Sequence, residues 1–270
     1  MEYTEQLARP RVLYVSHGAG PLPLLGDPSH QAMIDNLQAV AAQLSKPTAI
    51  ILISAHWEAS QPTITRGANP SLIYDYYGFP QEAYKITYPA PGAPPLVDNI
   101  AALLEKNNLE VLLTEQRGFD HGLFVPLKIM YPAADIPCVQ VSLVKGLNAG
   151  VHIELGKALS QLADETILVI GSGFSFHNMQ AFRTSDTPET QAMNEAFEQW
   201  LIGTCSNTEL GEDERMHRLI DWENAPAARY CHPREEHLLP LHVCYGVAQR
   251  ACSEYFELTI FGKKASVYLW

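Results

Sequence analysis

The chain has 270 residues, 47% of them hydrophobic and 18% charged, which is enough apolar material for an ordered core and excludes a disordered chain. Its formal net charge of −12 repels phosphate backbones and anionic membranes, and no Lys/Arg run makes a local basic patch, so no nucleic-acid partner is expected. The longest strongly apolar stretch, residues 49–55, is too short to span a bilayer, so no membrane segment is expected either.

The opening residues MEYTEQLARPR place acids where a secretory leader needs a basic start and offer no apolar core. Residues 12–16 form a short apolar run that predicts a strand, followed at once by His17-Gly18-Ala19-Gly20. Asp27 and Pro28 suit the cap and first turn of a helix whose apolar stripe is Met33, Leu37, Val40 and Leu44, and Pro47 ends it. Residues 49–55 lack alternation, as expected of a strand covered on both faces, and His56-Trp57 follow.

Seven prolines and many tyrosines then crowd residues 60–95, where only a strand at 63–65 and a brief helix around 80–84 fit an otherwise ordered aromatic loop. A helix over 95–106 and a strand over 110–114 restore an α/β rhythm. Arg117-Gly-Phe-Asp-His121 precedes a short or bent helix interrupted by Pro126. A strand at 137–143 and a helix marked by Val151, Leu155, Leu159 and Leu162 come next, then a strand at 166–170 that runs into Gly171-Ser172-Gly173 and His177-Asn178. Helices are predicted at 189–202 and 213–222, a loop at 225–234, a helix with Pro240 in its first turn reaching Gln249, and a terminal hairpin of 255–261 and 265–269. No linker or repeat divides the chain, so residues 1–270 are expected to form a single three-layer α/β/α domain on a mixed, mostly parallel sheet.

Five cysteines, at 138, 205, 231, 244 and 252, form no CxxC pair; this argues against a disulfide framework or a thiolate zinc knuckle and fits a reducing, cytoplasmic setting. The ten histidines are more informative. His17, His56 and His177 each follow the carboxyl end of a predicted buried strand, the edge along which ligands collect in open α/β sheets. Neutral imidazole binds iron, zinc, copper or nickel, and His237 and His121 are further donors, so a shared metal site is expected. HExxH is absent, so the ligands must meet through folding.

Each histidine alone is more often an ordinary hydrogen-bonded residue, and other motifs compete. Gly171-Ser-Gly173-Phe-Ser-Phe176 follows a strand as a dinucleotide loop does, but Phe176 stands where that loop needs its third glycine. Ser172 with His177 or His121 and Asp120 suggests a hydrolase, yet the GxSxG elbow is missing. Tyr74, Tyr76, Tyr77, Tyr84 and Tyr88 could wall a planar substrate or simply pack in a core. Arg117 could hold a carboxylate, although the surface is its default.

The stretches SHGAGPLPLLGD, SAHWE, DYYGFPQEAYKITYPAPGAP, GFDHGLFVPLKIMYP, GSGFSFHN and EEHLLPLHV resemble, in that order, the DOPA 4,5-extradiol dioxygenase group, related to the catalytic subunit of protocatechuate 4,5-dioxygenase. The resemblance implies cleavage of a catechol-type ring, DOPA or a related compound, with O2 at a non-haem metal. Fe(2+) is expected for activity, and Zn(2+) can occupy the same site. His17, His56 and His237 match the metal ligands, with Glu235 and Glu236 open as contributors at the third position. His177 matches the catalytic acid/base, which in the DOPA-like branch also comes within reach of the metal, and His121 matches a second catalytic histidine near the substrate oxygens. After His17 this chain has Gly-Ala-Gly where many DOPA-like members have Gly-Ser-Pro, which leaves the native catechol open. A zinc-dependent hydrolase or a non-catalytic metal-binding protein would use the same histidines.

Overall fold

The computed structural model describes residues 10–270; residues 1–9, and with them most of the opening segment, lie outside the described residues. In chain order the principal elements are β1 (Arg11–Ser16), α1 (Gln31–Gln43), β2 (Ala49–Ala59), β3 (Thr63–Thr65), α2 (Pro94–Lys106), β4 (Leu112–Thr114), α3 (His121–Met130) and β5 (Cys138–Val144). They continue with α4 (Ala149–Leu159), β6 (Ile167–Gly173), α5 (Pro188–Ser206), α6 (Glu212–Ile220), the single turn α7 (Ala228–Cys231), α8 (Leu239–Ala248), β7 (Glu254–Ile260) and β8 (Lys263–Leu269).

The strands form one mixed sheet in the order β4-β3-β5-β2-β6-β1-β8-β7. Its centre, β5-β2-β6-β1, is parallel, and the β7–β8 hairpin pairs antiparallel with the β1 edge. Val12 and Tyr14 point into a core shared with α2, α4, α5 and α8, whereas Leu13 and Val15 point into a second core with α1 and α3. Alternate residues of one strand thus serve opposite faces, as a sheet sandwiched between two helical layers requires. The expected α/β/α architecture is present.

Three boundaries differ from expectation, and the first two bear on the site. β2 continues to Ala59 instead of stopping at 55, because its pairing with β5 slips: Ser54 faces Ser142 and Glu58 faces Leu143, so 55–57 bulge out unpaired against β5. His56 therefore sits on a bulge inside the strand rather than in a loop after it. The stretch 225–234, expected as loop, contains the helical turn α7, and α5 is longer than expected at its carboxyl end. Among the described residues no helix is long and apolar enough to cross a membrane.

Candidate metal centre

Each histidine reaches the carboxyl edge of the sheet by a different device. His17 follows β1 directly, and its N–H continues the ladder to the Gly173 carbonyl at 2.9 Å. His56 is presented by the β2 bulge. Ser54 Oγ accepts the His56 N–H at 3.1 Å and donates to Asp120 Oδ1 at 2.8 Å, so a two-residue turn of side chain and backbone steadies the irregular segment. Asp120 also accepts from Arg117 at 3.0 Å and from the Gln140 amide. Burial, followed by the neighbouring Asp75 charge, raises the Asp120 carboxyl above its ordinary value. Arg117, which also stacks 4.3 Å from the Trp57 ring, is committed to this brace and does not line the pocket.

His121 is the first residue of α3. Asp75 Oδ1 accepts both its backbone N–H at 3.0 Å and its Nδ1–H at 2.8 Å, so one carboxylate oxygen satisfies an orphan donor of the helix start and orients the ring. Burial pushes Asp75 up, but its hydrogen bonds and ion pairing with His121 outweigh that and hold it below the ordinary carboxylate range. Pro126 lies four residues after Gly122 and has no N–H for the Gly122 carbonyl. That carbonyl instead accepts the Ser172 hydroxyl at 2.5 Å. With its hydrogen used there, Ser172 Oγ can only accept from His17 Nδ1–H at 2.9 Å, which leaves Nε2 of His17 as the lone-pair donor facing the site. Ser172 is therefore an anchor for an imidazole; its buried, committed hydroxyl does not have the exposure or partner of a hydrolase nucleophile.

His237 precedes α8 and is brought close to β6 by glycine. A Cβ at Gly173 would stand 2.0 Å from the His237 carbonyl, and one at Gly171 would stand 2.5 Å from that of Pro240. The glycines that resembled a dinucleotide loop are buried strand residues whose missing side chains admit the backbone leading into α8. The His237 carbonyl accepts from Phe174 N–H at 3.1 Å and from Tyr14 O–H at 3.0 Å, which locks the residue from behind. His177 lies four residues beyond β6, held by its N–H to the Cys231 carbonyl at 2.9 Å. Glu236 Oε1 serves both rings, 2.9 Å from His237 Nδ1 and 3.1 Å from His177 Nδ1, and the two imidazoles stack with centroids 3.4 Å apart. Glu235 turns the other way, to Arg229 at 2.7 Å. Of the two glutamates at the third position, Glu236 alone faces the histidines.

All five histidines expected from the sequence thus converge. Their ligand atoms form three overlapping groups, His17-His56-His237, His56-Asp75-His121 and His177-Glu236-His237, each with its atoms within 4.8 Å of one another. Nε2 of His17 lies 3.0 Å from Nε2 of His56. Two nitrogens on one ion, with bonds of about 2.1 Å at right angles, stand about 3.0 Å apart, so the donor set fits a single divalent metal. Burial first, then the neighbouring imidazoles, lowers the pKa of His17 and His237 well below the ordinary value, and burial followed by His121 lowers that of His56. Neutral imidazole is the form that binds metal.

A pocket of about 340 Å³ opens onto the five rings. Tyr76 and Phe79, edge-on to each other at 5.5 Å, form one wall with His121, and Phe174, Phe182 and Phe261 form another. Of the five tyrosines considered for such a wall, Tyr76 lines the pocket, with its hydroxyl turned away to the Ala83 carbonyl, whereas Tyr77 is 92% exposed. The sequence reading missed Asp75, the anchoring role of Ser172 and the phenylalanine wall; an acid next to the tyrosine run was the available hint for Asp75.

The family described as the catalytic LigB subunit of aromatic ring-opening dioxygenase matches residues 12–264. The chain is 40% identical over 254 residues to the dioxygenase tasH of Hapsidospora irregularis, a match covering 88% of this chain and 78% of that one. It is 38% identical over 239 residues to a 4,5-DOPA dioxygenase extradiol of Beta vulgaris, covering 87% and 85%. A crystal structure of a protein from Escherichia coli K12 superimposes with a TM-score of 0.75 at 28% identity, over 96% of this chain and 99% of that one. A group of histidines able to hold a metal, at the carboxyl edge of the sheet beside an aromatic-walled pocket, accompanies that match over residues 12–264. The protein belongs to the LigB family of aromatic ring-opening dioxygenases, the class III extradiol enzymes.

Proposed function

We propose that the protein cleaves a small substituted catechol with O2 at a ferrous ion held by His17, His56 and His237, with the chain, residues 1–270, acting as one catalytic domain. The observation that carries this reading is the convergence of three imidazole donors within 4.8 Å at the base of an aromatic-walled pocket. When bound, ferrous iron supplies Lewis acidity toward the catechol hydroxyls and the electrons that make O2 reactive. Three neutral ligands leave the charge of such an ion largely uncompensated, which favours an ionised catechol beside it. Zinc fits the same imidazoles but is redox-inert. The relative from Beta vulgaris is named for DOPA, which makes DOPA the reference substrate.

His177 is the acid/base. Its Nδ1 is turned to Glu236, so Nε2 is the atom left to take a hydroxyl proton from the catechol and return it as the ring opens. His121, paired with Asp75, donates from Nε2 to a substrate oxygen when its ring is protonated. Tyr76 and Phe79 flank the ring and exclude water from the reacting face. Five unbridged, buried cysteines suit a reducing cytoplasm.

Anaerobic ferrous loading followed by a panel of catechols tests the reading. Oxygen uptake with a yellow ring-opened product is expected; hydrolytic turnover by the zinc form with no oxygen uptake would replace it with a hydrolase.

A further inference from the structure

The pocket carries a chemical bias beyond its histidines. Among the described residues that line it there is no Asp, Glu, Lys or Arg. One wall is apolar: Phe174, Phe182 and Phe261 form a chain of ring contacts at 5.7 and 5.8 Å, and the lining residue Met179 is 52% exposed. The charged groups beside the histidines are already committed. Asp75 is held by His121, Glu236 by His177, His237 and Arg234, and Arg234 also by Glu58 at 2.6 Å. Arg117 belongs to the Asp120 brace on the far side of the β2 bulge.

A catechol placed with its diol toward the histidines must direct its ring substituent along the pocket walls. An amino-acid side chain there would exchange water for phenylalanine around an ammonium and a carboxylate, with no opposite charge in the pocket lining to meet either. An alkyl or aryl group would instead remove its own apolar surface and that of the phenylalanines from water. We infer that the native substrate is a catechol whose substituent is uncharged and apolar, and that the Phe174-Phe182-Phe261 wall selects it. The inference rests on the ring-cleavage reading above and makes it more specific; it sets this pocket apart from the DOPA in the names of its relatives.

The test compares three catechols that share one ring: 4-propylcatechol, 3-(3,4-dihydroxyphenyl)propionate and DOPA. Anaerobic calorimetry on the zinc-loaded protein reads binding without turnover, and oxygen uptake by the ferrous form reads kcat/KM. Propylcatechol is expected to exceed both charged catechols by at least about tenfold in each measurement. The variant Met179→Arg, at that exposed lining residue, is expected to narrow that ratio for the propionate by about fivefold or more, with zinc content unchanged. Equal or tighter binding of DOPA or the propionate by the unaltered protein overturns the inference, as does a Met179→Arg protein with the original preference. Silence toward all three catechols in both assays removes the ring-cleavage reading and this inference with it, whereas a DOPA preference removes the inference alone.

Discussion

Nε2 of His17 and Nε2 of His56 stand 3.0 Å apart although 39 residues separate them in sequence. One comes from a strand end and the other from a bulge. Ser172 fixes the first by taking its Nδ1–H, so the lone pair of His17 is aimed at its neighbour, an arrangement that a shared cation stabilises.

Metal binding and proton transfer separate by substitution. His17→Ala is expected to abolish stoichiometric metal and turnover together. His177→Gln is expected to keep its metal while kcat falls by about 10² to 10⁴. Metal analysis alongside oxygen uptake distinguishes them, and loss of metal from His177→Gln would move that residue into the ligand set.

Ser172→Ala removes the acceptor for His17 Nδ1–H and leaves the Gly122 carbonyl without the hydroxyl that replaces the missing Pro126 N–H. Metal affinity is expected to fall about 10- to 100-fold with the fold retained. Competition against a chelator measures it; unchanged affinity would show that His17 does not depend on this hydrogen bond for its orientation.

Gly173→Ala should act at a distance from any ligand atom. Its Cβ would meet the His237 carbonyl at 2.0 Å, so the turn before α8 must withdraw from β6. A destabilisation of about 1–3 kcal/mol is expected, with weakened metal binding. Denaturant midpoints and metal titration report the two effects, and a variant with both unaltered would mean that the turn is free to shift.

Acid sensitivity has a source outside the ligand set. His232 is fully buried, donates Nε2–H to the Ser175 carbonyl at 2.7 Å and has no partner at Nδ1. Burial lowers its pKa from 6.5 to about 3. The unfolded chain therefore binds this proton more readily than the folded one, so the contribution to stability is full above pH 6.5 and declines as pH falls toward 3. Between pH 6.5 and 5 the metal-free protein is expected to lose about 2 kcal/mol from this group. His232→Leu, less stable at neutral pH, should show a flatter decline in denaturant midpoint over that interval. An identical slope would assign the acid sensitivity to other groups.

The buried runs at β1, β5 and β6 and the stripe of α1 were legible because periodicity and burial act locally. His17 and His177 were legible for the same reason, each coming after such a run. The bulge at His56 was not, since it arises from a slip in register against β5, and pairing partners leave no mark within the strand's own residues. Phe176 already spoke against a phosphate loop at Gly171 and Gly173, but the use these glycines do serve, a close approach of the backbone leading into α8, was not legible because it depends on where α8 packs. Asp75 and Ser172 act on histidines 46 and 155 residues away, contacts that no local pattern encodes.

Crystals grown anaerobically with ferrous ion, measured on both sides of the iron absorption edge, test the metal centre most directly. One anomalous peak bonded to Nε2 of His17, His56 and His237 is the predicted result. A peak held by the His56-Asp75-His121 group instead, or well-ordered imidazoles with no peak between them, would contradict it.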